Sequence, residues 1–104
     1  MTYFYRKASP MRTVGHLPDA RMQITVFEND GRFPVQFELG GLTQIYRFRK
    51  GSGISNLGHL REYIDEPFRA AVLEQFITMR AAYNTVLARH LPPEDGLDLL
   101  PPII

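Results

Sequence analysis

Two glycine turns, Asn29-Asp30-Gly31 and Gly40-Gly41, separate three runs in which side chains alternate between apolar and polar. Met22, Ile24 and Val26 alternate with Gln23, Thr25 and Phe27. Phe33, Val35, Phe37 and Leu39 alternate with Pro34, Gln36 and Glu38. In Leu42 to Lys50, one face holds Leu42, Gln44, Tyr46 and Phe48, and the other holds Thr43, Ile45, Arg47 and Arg49. A period of two residues is the mark of a half-buried strand. Asn, Asp and Gly accept the positive φ angles of tight hairpins. Turns this short leave no room for a crossover, so the three strands must be neighbours in an antiparallel meander. Pro34 has no N–H to give, and its nitrogen is expected to face solvent or a bulge.

Gly51-Ser52-Gly53 ends the sheet. Ser55 or Asn56 can cap a short helix to about Ile64, weakened by Gly58 by about 1 kcal/mol. Asp65-Glu66-Pro67 reads as a second helix start, with an acidic cap and proline in the first turn. From there to about His90 nothing breaks the helix. Phe68, Val72, Phe76, Met79, Tyr83 and Val86 or Leu87 recur every three or four residues and form one stripe. About 24 helical residues span roughly 36 Å. A strand of eight residues spans only about 27 Å. The helix is therefore expected to overhang its sheet, and Phe76, Met79, Tyr83, Val86 and Leu87 are the expected oligomer or partner interface. A second copy is the simplest cover, so a homodimer is expected.

The reading is an α+β fold: a three-stranded antiparallel meander packed on a long C-terminal amphipathic helix. A fourth, N-terminal strand is open, because Thr2 to Lys7 is aromatic enough to form one. Pro10, Gly15 and Pro18 argue for a loop over residues 8–20. Residues 1–91 are read as one domain. Residues 92–104, acidic, proline-rich and apolar, are read as an extended tail that packs along the domain or docks on a partner.

At 104 residues the chain suits a single domain. It has no cysteine, hence no disulfide framework or thiolate metal site. No apolar run approaches the roughly 20 residues that span a membrane, and the N-terminus lacks the order of a signal peptide. A cytoplasmic protein with no membrane partner is expected.

The net charge of +1 hides an asymmetry. Residues 1–50 carry eight basic side chains against four acids, and residues 51–104 carry four against seven. Basic surface is thus expected on the strands and the N-terminus. Arg6 and Lys7 follow Tyr3, Phe4 and Tyr5, a mixture that can neutralise phosphates and stack on bases. Arg47 and Arg49 share one strand face, and Lys50 ends the strand. With Leu42, Tyr46 and Phe48 on the helix, those arginines point away from it, beside Gln23 and Phe27. Gly51-Ser52-Gly53 then enters a helix start, where N–H groups can converge on an anion. It is not a Walker A loop, since that order of glycine, lysine and serine or threonine is absent. Arg6, Lys7, Arg47, Arg49, Lys50 and Ser52 are the candidate nucleic-acid or anion-binding residues. The alternative for the glycines is that they only let the chain leave the sheet. The alternative for the arginines is a solvated face that deters aggregation.

Catalytic chemistry finds little support. His59 and Glu62 stand at i, i+3 and could share a metal, but neither His16 nor His90 brings a third ligand. His90 suits the negative end of the long helix. No serine has the context of a nucleophile elbow. Glu62, Asp65 and Glu66 cluster where a helix start attracts carboxylates anyway. No catalytic residue, metal or cofactor is assigned. In outline alone, strands followed by one long helix, the chain resembles the Whirly single-stranded-DNA binders, which dimerise through that helix. The resemblance implies that residues 2–7 form the first strand, and no motif or residue is carried over from it. The expected function is a small, non-enzymatic binding or regulatory protein, dimeric, taking nucleic acid on a basic sheet face. The alternative is a protein-interaction module, such as an inhibitor, immunity or assembly protein, that uses the long helix or the tail.

Overall fold

A computed structural model of the chain describes residues 11–51 and 53–91. Four strands form one antiparallel sheet in sequence order: β1 (Arg12–Leu17), β2 (Gln23–Glu28), β3 (Arg32–Leu39) and β4 (Leu42–Arg49). A short helix α1 (Leu57–Tyr63) and a long helix α2 (Glu66–His90) follow. This is the expected α+β fold with a meander and a long C-terminal helix.

The two glycine turns fix the register. Asp30 and Gly31 have φ of 56° and 77°, and Gly40 and Gly41 have 55° and 83°. Positive φ at both central residues is the two-residue hairpin whose twist matches that of its strands. Asn29 and Arg32 exchange backbone hydrogen bonds of 3.0 and 3.1 Å across the first turn. Two residues further on, Phe27 and Pro34 would form the next bonded pair. Proline has no donor for it, and the regular β2–β3 register begins only at Val26↔Val35. The β3–β4 register runs unbroken through Pro34↔Arg47. Pro34 therefore turns its nitrogen to β2, inside the sheet and at a gap in the ladder, rather than to solvent.

The expected loop over residues 8–20 is corrected by β1, which occupies Arg12–Leu17. Gly15 does not break the strand. The register shifts by one residue between Thr13 and Gly15, a bulge in an edge strand. A Cβ on Gly15 would stand 2.9 Å from Leu57 Cδ2 of α1, so glycine here admits close packing of helix on sheet. Gly15→Val is expected to destabilise the fold by about 1–3 kcal/mol through that clash, read as a lower urea midpoint. Residues 2–7, the alternative fourth strand, and the tail, 92–104, lie outside the described residues.

One face of the sheet makes the core. Ile24, Val26, Phe33, Val35 and Phe37 lie buried under Leu60 and Ile64 of the α1 segment and Val72 and Phe76 of α2. Phe68 sets α2 on the sheet, with its ring edge-on to Phe37, Tyr46 and Phe48 at centroid distances of 5.8, 5.1 and 6.2 Å. Asn56 caps α1 by accepting from His59 N at 2.9 Å, and Asp65 caps α2 by accepting from Phe68 N at 3.0 Å.

A polar cluster closes the fold at the β1–β2 connection. Asp19 accepts from Arg21 through its backbone N–H at 2.8 Å and its guanidinium at 2.8 and 3.1 Å. Arg69 of α2 reaches the same carboxylate at 3.2 Å and also donates to Pro18 O at 2.8 Å and Ile64 O at 3.0 Å. Arg21 bridges on to Glu66 at 2.9 Å. The Arg21 hydrogen bonds, followed by those of Arg69, hold the Asp19 carboxyl well below the ordinary carboxylate range, against the opposing effect of burial.

Candidate anion-binding face

The β3–β4 register decides which side chains share the sheet face away from the helices. On that face Arg32 stands directly opposite Arg49, and Pro34 opposite Arg47. Arg47 lies two residues from Arg49, about 7 Å along β4. Three exposed guanidinium groups thus share one end of this face, around a buried Pro34. None of the ion pairs among the described residues includes Arg32, Arg47 or Arg49. Glu38 is on the same face but opposite Thr43, four residues from Arg47, and it accepts a hydrogen bond from Gln36. The next row is His16, Thr25, Gln36 and Ile45, in which His16 Nδ1 lies 3.3 Å from Thr25 Oγ1. Like charges directly opposite on neighbouring strands repel and destabilise the pair.

Arg47 and Arg49 are where the sequence puts them. Arg32 is an addition, although the signal for it was present. Gly40-Gly41 as a two-residue turn pairs Leu39 with Leu42, and counting back along both strands brings Arg32 to Arg49. Lys50 goes elsewhere. It lies on the helix side of the sheet, paired with Glu28 and 5.3 Å from the centroid of Phe33. Glu28 also pairs with Arg12, and Lys50 is the larger cause of its lowered carboxyl pKa. Arg6, Lys7 and Ser52 lie outside the described residues.

Two N–H groups of the glycine loop are engaged with each other's residue. Gly51 and Ile54 exchange backbone hydrogen bonds of 2.8 and 3.1 Å, closing a tight turn in which Gly51 and Gly53 have φ of 97° and 92°. The α1 entrance is occupied too, by Asn56 on His59 N and by Ser55 N donating to His59 Nδ1 at 3.2 Å. His59 is thereby a local capping partner. Among the described residues no three of His, Asp or Glu approach one another as a metal site would require.

The α2 helix runs against β4 and then leaves it. Val72 O accepts from Gln44 Nε2 at 2.9 Å, and the Arg80 guanidinium donates to Gly40 O at the last turn of the sheet. Ala81 to His90 project beyond, by about 15 Å at 1.5 Å per residue. Of the expected interface residues, Phe76 is only 3 % exposed and closes the core at the sheet's end, so it is corrected from interface to core. Tyr83 and Val86 are 48 % and 46 % exposed, Met79 packs against the core, and Leu87 is half-buried. Where α2 passes the Gly40 turn, an open groove of about 610 Å³ lies between Leu39, Leu42, Leu73, Phe76 and Ile77, with Arg80 at its side. Its walls are apolar, and the Arg80 guanidinium is engaged by Gly40 O and the Tyr83 ring.

Among the described residues no helix is long and apolar enough to cross a membrane. Comparison of the chain with protein-family models, with curated proteins and with solved structures finds no match.

Proposed function

We propose that this protein is a non-enzymatic binding protein that takes single-stranded nucleic acid on the sheet face of Arg32, Arg47 and Arg49. One observation supports this reading above the others: Arg32 and Arg49 face each other across β3 and β4 with no carboxylate paired to either among the described residues. Such a pair is unfavourable by itself and becomes favourable when phosphates lie between the guanidinium forks. The spacing of about 7 Å between alternate residues of a strand suits contacts to separate phosphates rather than to one. A sheet edge with its charged groups exposed suits an extended strand of nucleic acid better than a small ligand, which needs a concave site. The test is fluorescence anisotropy with a labelled single-stranded 20-mer. Binding at low salt that weakens steeply on adding salt is expected. No binding at low salt removes the reading.

The projecting end of α2 supports the second reading, a protein-interaction module. Tyr83 and Val86 stand exposed on a helix end with no acidic residue between Gln75 and Leu91. The double substitution Tyr83→Lys with Val86→Lys separates the two readings, because it leaves the arginine face intact. Unchanged oligonucleotide binding in this variant supports the sheet face as the nucleic-acid site, and loss of binding moves that site to the helix.

A further inference from the structure

The two edges of the sheet are built differently. β1 is short and carries a bulge and a glycine, features that stop an edge from pairing with another chain. β4 has eight residues, no proline and an unbroken register. That register also tells which way its backbone points. Lys50 N donates to Gly31 O at 3.0 Å. Counting in twos from there, Phe33↔Phe48, Val35↔Tyr46, Phe37↔Gln44 and Leu39↔Leu42 are the bonded pairs. Thr43, Ile45, Arg47 and Arg49 therefore turn their N–H and C=O groups outward, away from β3. Among the described residues none of these groups has a partner from outside the strand. Phe68 stands edge-on to Tyr46 and Phe48 and Val72 O accepts from Gln44 Nε2, so α2 runs along β4 on the core face of the sheet and does not bond the outward groups of that edge.

We infer that β4 pairs antiparallel with β4 of a second copy, about a two-fold axis at Ile45, to give one continuous eight-stranded sheet. Charge narrows the register, and the exposed Ile45 places the axis. Centred on Ile45, the pairing sets Arg47 opposite Thr43 and Arg49 opposite Gly41 of the other copy, so no two arginines meet. Centred on Arg47, it would set two guanidinium groups directly opposite, which is unfavourable. The Ile45 axis brings together two isoleucines that are 40 % exposed in the single chain. On the helix side it sets Leu42 against Phe48 and Gln44 against Tyr46. One consequence rests on the nucleic-acid reading and the pairing itself does not: the dimer would carry two arginine clusters on a single continuous face.

The test uses the full chain and no oligonucleotide, so it stands or falls separately from the nucleic-acid reading. Light scattering at about 50 µM is expected to give twice the chain mass of 12.0 kDa. Hydrogen exchange resolved by residue is expected to show the Thr43, Ile45, Arg47 and Arg49 amides protected like those of β3, with protection lost on dilution to monomer. Ile45→Pro removes an outward N–H without touching the β3 ladder, and is expected to give a monomer with an unchanged circular dichroism spectrum. Tyr83→Lys with Val86→Lys is expected to remain a dimer. A monomer at 50 µM overturns the inference. So does a dimer whose four edge amides exchange freely, since its contact must lie elsewhere, on α2 for example. Should Ile45→Pro fail to fold, the exchange pattern of the unaltered chain decides.

Discussion

Asp19→Ala is expected to destabilise the fold by about 2–4 kcal/mol, read from the urea midpoint at neutral pH. The carboxylate side chain is only 2 % exposed and is shared by Arg21 and Arg69. Removing one member of a buried charged cluster leaves the others desolvated without compensation, and that penalty exceeds the net value of the pairing itself. Arg69 suffers most, because its own side chain is 13 % exposed and retains only the Pro18 and Ile64 carbonyls. Arg21 is more exposed, can turn to water, and keeps Glu66. Glu66→Ala, which removes only this surface partner, should leave the midpoint nearly unchanged. If both variants unfold at the same urea concentration, Asp19 does not anchor the β1–β2 connection to α2.

The same carboxylate gives stability a pH dependence of definite sign. Its pKa is lower in the folded state than the roughly 4 of an unfolded aspartate. Between the two values the unfolded chain binds more protons, so stability rises with pH. The contribution is complete at neutral pH and is lost as pH falls below about 5 toward the folded value. Asp19→Ala should therefore flatten the acid limb of the stability profile, and an acid limb of unchanged slope would exclude Asp19 as its source.

Arg49→Ala should weaken oligonucleotide binding while stabilising the free protein. Loss of the like-charged opposition to Arg32 is expected to raise the melting midpoint by about 1–4 °C. If three arginines neutralise three phosphates of a single strand, the slope of log K against log salt is about −2, a roughly 20-fold loss of affinity between 50 and 200 mM salt. Arg49→Ala should reduce that slope by about 0.7, and Arg47→Glu with Arg49→Glu should abolish binding. A binding residue that destabilises its own fold is hard to explain as packing. Equal affinity and slope in Arg49→Ala and the unaltered chain would reduce the arginines to guards against aggregation.

Much of this arrangement is legible from local chemistry. Helix boundaries followed from Asn56, Asp65 and Pro67 because capping depends on residues within one turn. The sheet faces followed from alternation, and the two-residue turns carry the register, so even the Arg32–Arg49 opposition was within reach of counting. The side taken by Lys50 was too, since it follows Phe48 by two residues and shares its face.

What stayed hidden depended on residues distant in the chain. β1 reads as a loop because Gly15 and the flanking prolines are turn-formers by propensity, and only the approach of Leu57 makes glycine the residue that fits. Arg69 meets Asp19 across a separation of 50 residues, and no local pattern announces such a contact. The stripe of α2 continues past Phe76 in the sequence, but the sheet beneath it stops at Gly40, so identical periodicity gives core on one side of that turn and exposed surface on the other. The sequence by itself determined the strands β2 to β4, both helices, their order and the basic character of the sheet face away from the helices, because turn geometry, periodicity and capping are local. Only the tertiary structure decided the fourth strand, the buried carboxylate and the point where the long helix leaves its support, because each depends on what the folded chain brings next to it.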